Sequence, residues 1–126
     1  MLRNLLLAGT GGFIGSIMRY SVQILFEKNL SVTFPYGTMT ANVLGSFIIG
    51  VVFALSEKGN IISPECRIFL AVGVCGGFTT FSAFAYNNFM MIKENSFIPF
   101  LLNTGGNILL SILAVFLGVV FIKIIF

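Results

Sequence analysis

Gly73-Val-Cys-Gly-Gly-Phe-Thr-Thr-Phe-Ser-Ala-Phe84 lies in the middle of an apolar run long enough to cross a bilayer. Two adjacent glycines, two β-branched threonines and a serine make this stretch a poor helix, so the run is predicted to break here. Where water is absent, backbone released from a helix is tolerated only if it is buried in protein or lines a wet cavity. The stretch therefore predicts a site at membrane depth.

Composition sets the surroundings. Of 126 residues, 57% are hydrophobic and only 9% charged, whereas soluble domains carry about 25% charged residues. With a mean hydropathy of +1.04, the chain reads as an all-α integral membrane protein. The charged residues punctuate it: Arg3, then Glu27 and Lys28, then Glu57, Lys58, Glu65 and Arg67, then Lys93 and Glu94, then Lys123. Between them four spans are expected, at about 4–26, 36–56, 66–92 and 97–124, each able to hold the ~20 apolar residues of a crossing helix. They form a single four-span domain over residues 1–126, with the third helix broken near the bilayer midplane and too little loop to build an enzyme outside the lipid.

The net charge of +3 does not imply nucleic acid, because the basic residues sit at helix ends rather than in a patch. Arg3 ahead of an apolar run resembles a signal peptide, but no A-x-A-like cleavage site follows and Arg19 interrupts the run, so a retained first helix is expected. Cys66 and Cys75 are nine residues apart on one expected helix, too far to bridge, and with no histidine a zinc or haem site is not expected. Asn29-Leu30-Ser31 matches a glycosylation sequon, a pattern short enough to arise by chance.

With four spans both termini share a side. That side carries Arg3, Lys58, Arg67 and Lys123 near span ends, against Lys28 and Lys93 on the other. So small a Lys/Arg bias leaves orientation weakly determined, and the chain is expected to insert both ways and assemble as an antiparallel, dual-topology dimer. Four helices alone leave little room for a lined pathway.

The first span contains Gly9-Thr-Gly-Gly-Phe-Ile-Gly15. Its glycines are misplaced for a dinucleotide loop and no βαβ unit surrounds them, so they read as helix-packing residues, Gly11 and Gly15 forming a small-xxx-small pair. Gly12, Ser16, Arg19 and Gln23 share one face. Arg19, the only charged residue well inside a span, is either a functional group or an anchor reaching the nearby interface. Two polar stripes follow: Thr38, Asn42 and Ser46 in the second span, and Asn103, Asn107 and Ser111 in the fourth, both at i, i+4, i+8. Such groups either join helices by hydrogen bonds or line a polar track, and the repetition favours the track. In the third span Gly73 and Gly77 suggest that two copies of this helix cross there. Carbonyls around Gly76 to Thr79 lose helical donors at the break and suit a hard monovalent cation. Beyond it Phe81 and Phe84 share a face beside Ser82, and the positive edges of their rings can meet an anion.

The spans contain no Asp, Glu or His. A proton-coupled exporter of the small multidrug type needs one of these in the membrane to take the proton. A non-transporting assembly protein would explain the glycine pairs but not the paired stripes. No nucleophile–base pair or acid pair exists from which to write an enzymatic step. What remains is a pathway of amides, hydroxyls, backbone groups and aromatic edges for a small anion or a neutral solute.

Over nearly its whole length the chain resembles the CrcB/Fluc family of fluoride channels. The resemblance is carried by Gly12-x-x-Gly15 leading to Arg19, by Gly37-Thr38-x-x-x-Asn42-x-x-Gly45, and by Gly73-x-x-Gly76-Gly77-x-Thr79-Thr80-Phe81-Ser82-x-Phe84. It implies an antiparallel homodimer in the cell inner (plasma) membrane, surrounded by lipid, that passes fluoride passively out of the cytoplasm around a central structural sodium ion. By position, the backbone carbonyls of Gly76 and Thr79 would hold the sodium. Phe81 and Phe84 would be the fluoride-lining rings, Asn42 the pore amide, and Ser82, Ser111, Thr38 and Asn107 further pore groups, with Arg19 a vestibule or anchor residue. Two departures stand out: Ala83 occupies a place where a threonine is common in the family, and Asn107 one where relatives often have Tyr or His.

Overall fold

A computed structural model of the chain describes residues 1–29, 34–59 and 61–126. Among these, every regular element is a helix. The sequon Asn29-Leu30-Ser31 runs into residues outside those described. The helices are α1 (Leu2–Asn29), α2 (Tyr36–Glu57), α3 (64–78), α4 (Phe81–Lys93) and α5 (Phe97–Ile125), with α3 and α4 the two halves of the interrupted third segment.

Local chemistry sets each boundary. Ser63 caps α3 by accepting the Cys66 N–H at 3.1 Å, and Pro64 occupies the first helical position, where its missing N–H costs nothing. Between Ile68 and Cys75 α3 is wound as a π-helix, a rare geometry frequent at functional sites, and a short α-helical stretch, Gly76–Phe78, separates it from the break. At the other end of α4, Asn95 takes a left-handed conformation with φ 59°. The Ser96 N–H then donates to the Met91 carbonyl at 2.8 Å and the Asn95 N–H to that of Ile92 at 3.0 Å, a Schellman termination. The short turn sends α5 back antiparallel to α4.

Segments Tyr36–Glu57, Pro64–Lys93 and Phe97–Ile125 are long and apolar enough to cross a membrane. α1 has the length, 28 residues, but is less apolar, because Arg3, Asn4, Arg19 and Gln23 interrupt it. Among the described residues there are thus four long helical segments, three of them with the apolarity of a span. Large side chains such as Phe13, Leu109, Phe116 and Leu117 project outward, a surface that hydrocarbon tolerates and water does not.

The helices pack as two close pairs, α1 with α3 and α2 with α5. Glycine makes both possible. A methyl group at Gly73 would stand 2.7 Å from the Gly11 Cα, and one at Gly77 3.0 Å from the Gly12 Cα. Methyl groups at Gly50 and Gly118 would run into the Val115 and Phe47 carbonyls. Without a hydrophobic driving force between helices in lipid, such close approach supplies the dispersion contact that holds them. The expectation that Gly73 and Gly77 mark a crossing between two copies is corrected here: α1 of the same chain fills both places. Gly76, one residue away, is the open one, with nothing nearer than 4.0 Å to a Cβ built there.

Candidate functional site: the cavity at the break

Thr79 (φ −83°, ψ 154°) and Thr80 (φ −150°, ψ 122°) are both extended, so the helical hydrogen-bond ladder stops between α3 and α4. One side chain replaces it. Asn42, on α2, accepts the Thr80 N–H at 2.8 Å through Oδ1 and donates Nδ2 to the Thr80 carbonyl at 3.2 Å. A single amide thereby pairs both backbone groups of Thr80, as a neighbouring strand would. Thr80 then caps α4: its Oγ1 accepts the Ala83 N–H at 3.1 Å and lies 3.2 Å from the Ser82 hydroxyl.

Redirecting these two amides has a consequence for the carbonyls they would otherwise meet. In a continuous helix the Thr80 N–H would donate to Gly76 and the Ala83 N–H to Thr79. Asn42 and the Thr80 hydroxyl take them instead, leaving the Gly76 and Thr79 oxygens without their helical donors. The neighbouring Gly77 carbonyl is bonded by Arg19, whose Nε donates to it at 3.0 Å. Arg19 is partly buried and aimed at the break.

Around the break lies a cavity of about 360 Å³. The second segment contributes Asn42, Gly45, Ser46 and Ile49; the third Ala71, Cys75, Gly76, Thr79, Thr80, Phe81 and Phe84; the fourth Asn107, Ile108 and Ser111. None of these described residues is charged. Phe81 and Phe84 meet at 5.6 Å between centroids with their planes 54° apart, which turns an edge of one toward the other. Phe81 is 78% exposed, so its ring extends beyond this chain's own packing.

Of the residues singled out in the sequence, the structure therefore brings together Asn42, Gly76, Thr79, Phe81, Phe84, Asn107 and Ser111. Thr38 lies apart. It is buried near a second cavity of about 480 Å³ lined by Gln23, Glu27, Tyr36, Tyr86 and Asn87 among others, and its hydroxyl accepts from Gln23 Nε2 at 3.3 Å and Asn87 Nδ2 at 3.4 Å. Ser82 is exposed beside Thr80 and outside the lining of the first cavity. Sequence reading passed over Asn87 and Asn88; two adjacent amides inside an apolar segment were the available signal.

Fold and site together define a helical membrane protein with an uncharged, largely apolar cavity, dotted with amides and hydroxyls, at a helix break. The family model for CrcB-like protein, Camphor Resistance (CrcB), matches residues 6–119, and the chain belongs to that family. It is 47% identical over 125 residues to the fluoride-specific ion channel FluC of Leptospira interrogans serovar copenhageni, covering 96% of this chain and 95% of that one. Fluoride-specific ion channel FluC 1 of Methanosarcina acetivorans is 42% identical over 115 residues (91% and 87% of the two chains), and FluC of Chlorobium chlorochromatii 38% over 117 (93% and 90%).

Proposed function

We propose that the chain is a fluoride-selective passive channel, working as an antiparallel homodimer in the plasma membrane, with α1 as a fourth crossing helix. The carrying observation is the cavity at the break, which presents aromatic edges and hydroxyls without a charged group, its two amides being spent on holding the break and each other. Such a lining can replace part of the hydration of a small anion without trapping it, which conduction requires. The relatives' names supply the ion. The lining also contains no carboxylate to carry a proton, so movement is down the electrochemical gradient, and fluoride leaves a cell whose interior is negative.

The second part of the reading is a structural sodium ion. The Gly76 and Thr79 carbonyls fit a hard monovalent cation: both are neutral oxygens deprived of helical donors, and the Gly76 side is open to a second copy. Two copies would each contribute this pair, and the bound charge would join the two breaks.

Efflux from liposomes tests the channel. Purified protein is reconstituted with internal potassium fluoride, and valinomycin collapses the voltage while an electrode reads the bath. Rapid valinomycin-dependent fluoride release, without chloride release from matched chloride-loaded vesicles, is expected. Silence toward both ions from vesicles shown to hold folded protein would remove the channel reading for this chain alone.

A further inference from the structure

Five donations run head to tail through the protein interior from the break. The Thr80 N–H donates to Asn42 Oδ1 at 2.8 Å, and Asn42 Nδ2 to Asn107 Oδ1 at 3.0 Å. Asn107 Nδ2 donates to Asn103 Oδ1 at 2.8 Å, Asn103 Nδ2 to Asn88 Oδ1 at 2.8 Å, and Asn88 Nδ2 to Thr104 Oγ1 at 3.1 Å. The series passes from the break to α2, α5, α4 and back to α5. Asn103 at its centre has no exposed surface at all.

The sense of this series is determined by backbone groups that can play one role only. The Thr80 N–H can only donate and the Thr80 carbonyl only accept, so Asn42 has a single possible amide orientation. Asn107 Nδ2 also donates to the Asn103 backbone carbonyl at 2.8 Å, which sets the Asn107 amide independently. The two anchors agree: the oxygen of Asn107 faces the nitrogen of Asn42. Asn103 and Asn88 must then follow in the same sense. Both hydrogens of Asn107 Nδ2 are used on Asn103, and both of Asn42 Nδ2 on Thr80 and Asn107.

We propose that Asn107, Asn103 and Asn88 are positioning residues, a one-way amide relay that holds Asn42 against Thr80 and so keeps the break open in the geometry fluoride passes. Asn107 acts through its bonds rather than by offering a hydrogen to the ion. The effect on conduction rests on the channel reading above; the coupling along the relay does not. Removing the Asn103 side chain strips Asn107 Nδ2 of one of its two acceptors and Asn88 of its donor, so that Asn107, the partner of Asn42 Nδ2, is held only through the Asn103 backbone carbonyl.

Two readouts on the same reconstituted protein test this. In Asn103→Leu, valinomycin-driven fluoride efflux falls about tenfold or more, and in threonine-selective 15N spectra the Thr80 N–H resonance shifts although the substitution lies three amides away. Asn88→Leu, at the less buried end, shifts the same resonance and serves if Asn103→Leu does not fold. Asn88→Asp keeps the acceptor for Asn103 and leaves the Thr80 resonance at its wild-type position, a rescue that loss of packing would not give. Wild-type efflux in the folded leucine variant, or lost efflux with an unmoved Thr80 resonance, overturns the proposal. If the wild-type protein itself passes no fluoride, the channel reading fails, and the Thr80 shift still decides whether the relay exists.

Discussion

Asn42 carries two demands at once. Its oxygen takes the Thr80 N–H while its nitrogen bonds the Thr80 carbonyl and Asn107 Oδ1. An unpaired amide in hydrocarbon costs roughly 4 to 8 kcal/mol on a cyclohexane scale, and this saturation is what lets so polar a group sit in the interior. Asn42→Asp keeps the shape, removes both donations and places a negative charge on an anion path. Fluoride efflux is expected to fall about a hundredfold or more, equivalent to ~3 kcal/mol on the barrier. Normal efflux in that variant would take Asn42 off the pathway. Phe81→Ile retains apolar volume and removes the ring edge beside Phe84. Lost efflux with unchanged assembly size is expected, and unchanged efflux would remove this ring from the mechanism.

Adjacent glycines on α3 do different jobs. A methyl at Gly77 would meet the Gly12 backbone of α1, whereas one at Gly76 meets nothing nearer than 4.0 Å. Forcing two packed helices apart costs about 1–3 kcal/mol. Gly77→Ala should therefore lower the unfolding temperature of the protein in detergent by several degrees. Gly76→Ala should leave the packing within one chain intact but shorten the life of the dimer, seen as a monomer shoulder in size-exclusion chromatography. Equal behaviour of the two variants would mean that the Gly76 face is not where copies meet. α3 and α4 are independent helices in their capping, since Thr80 starts α4 as a fresh N-terminus, yet Asn42 and Arg19 hold the junction from α2 and α1. A break without those two supports would leave bare backbone in lipid.

Taken whole, the chain has a lined cavity open toward its own exterior and one of its aromatic rings, Phe81, reaching past its surface. On the dimer proposed above, a second copy would complete it. Tag-accessibility labelling in intact membranes is expected to find both orientations; a single orientation would remove the antiparallel pair. Replacing sodium with a large organic cation is expected to lower fluoride efflux and thermal stability together, and indifference of both would eliminate the structural cation.

Much of this was legible before any coordinates. A low charge content, confined to segment ends except for Arg19, dictates helices in a membrane, because lipid leaves the backbone no partner but itself. Gly76-Gly77 followed by Thr79-Thr80 dictates the break, because those residues are weak helix formers where no water can compensate. Which helix answers which was not legible. Periodicity places Gly73 and Gly77 on a face without saying whether α1 or a second copy fills it, and places Thr38 on one stripe with Asn42 although the two border different cavities. The tertiary fold settled these points, together with the amide series from Thr80 to Thr104. A hydrogen bond between helices depends on their rotation and depth relative to each other, and the spacing of residues along one helix carries no record of its neighbour's.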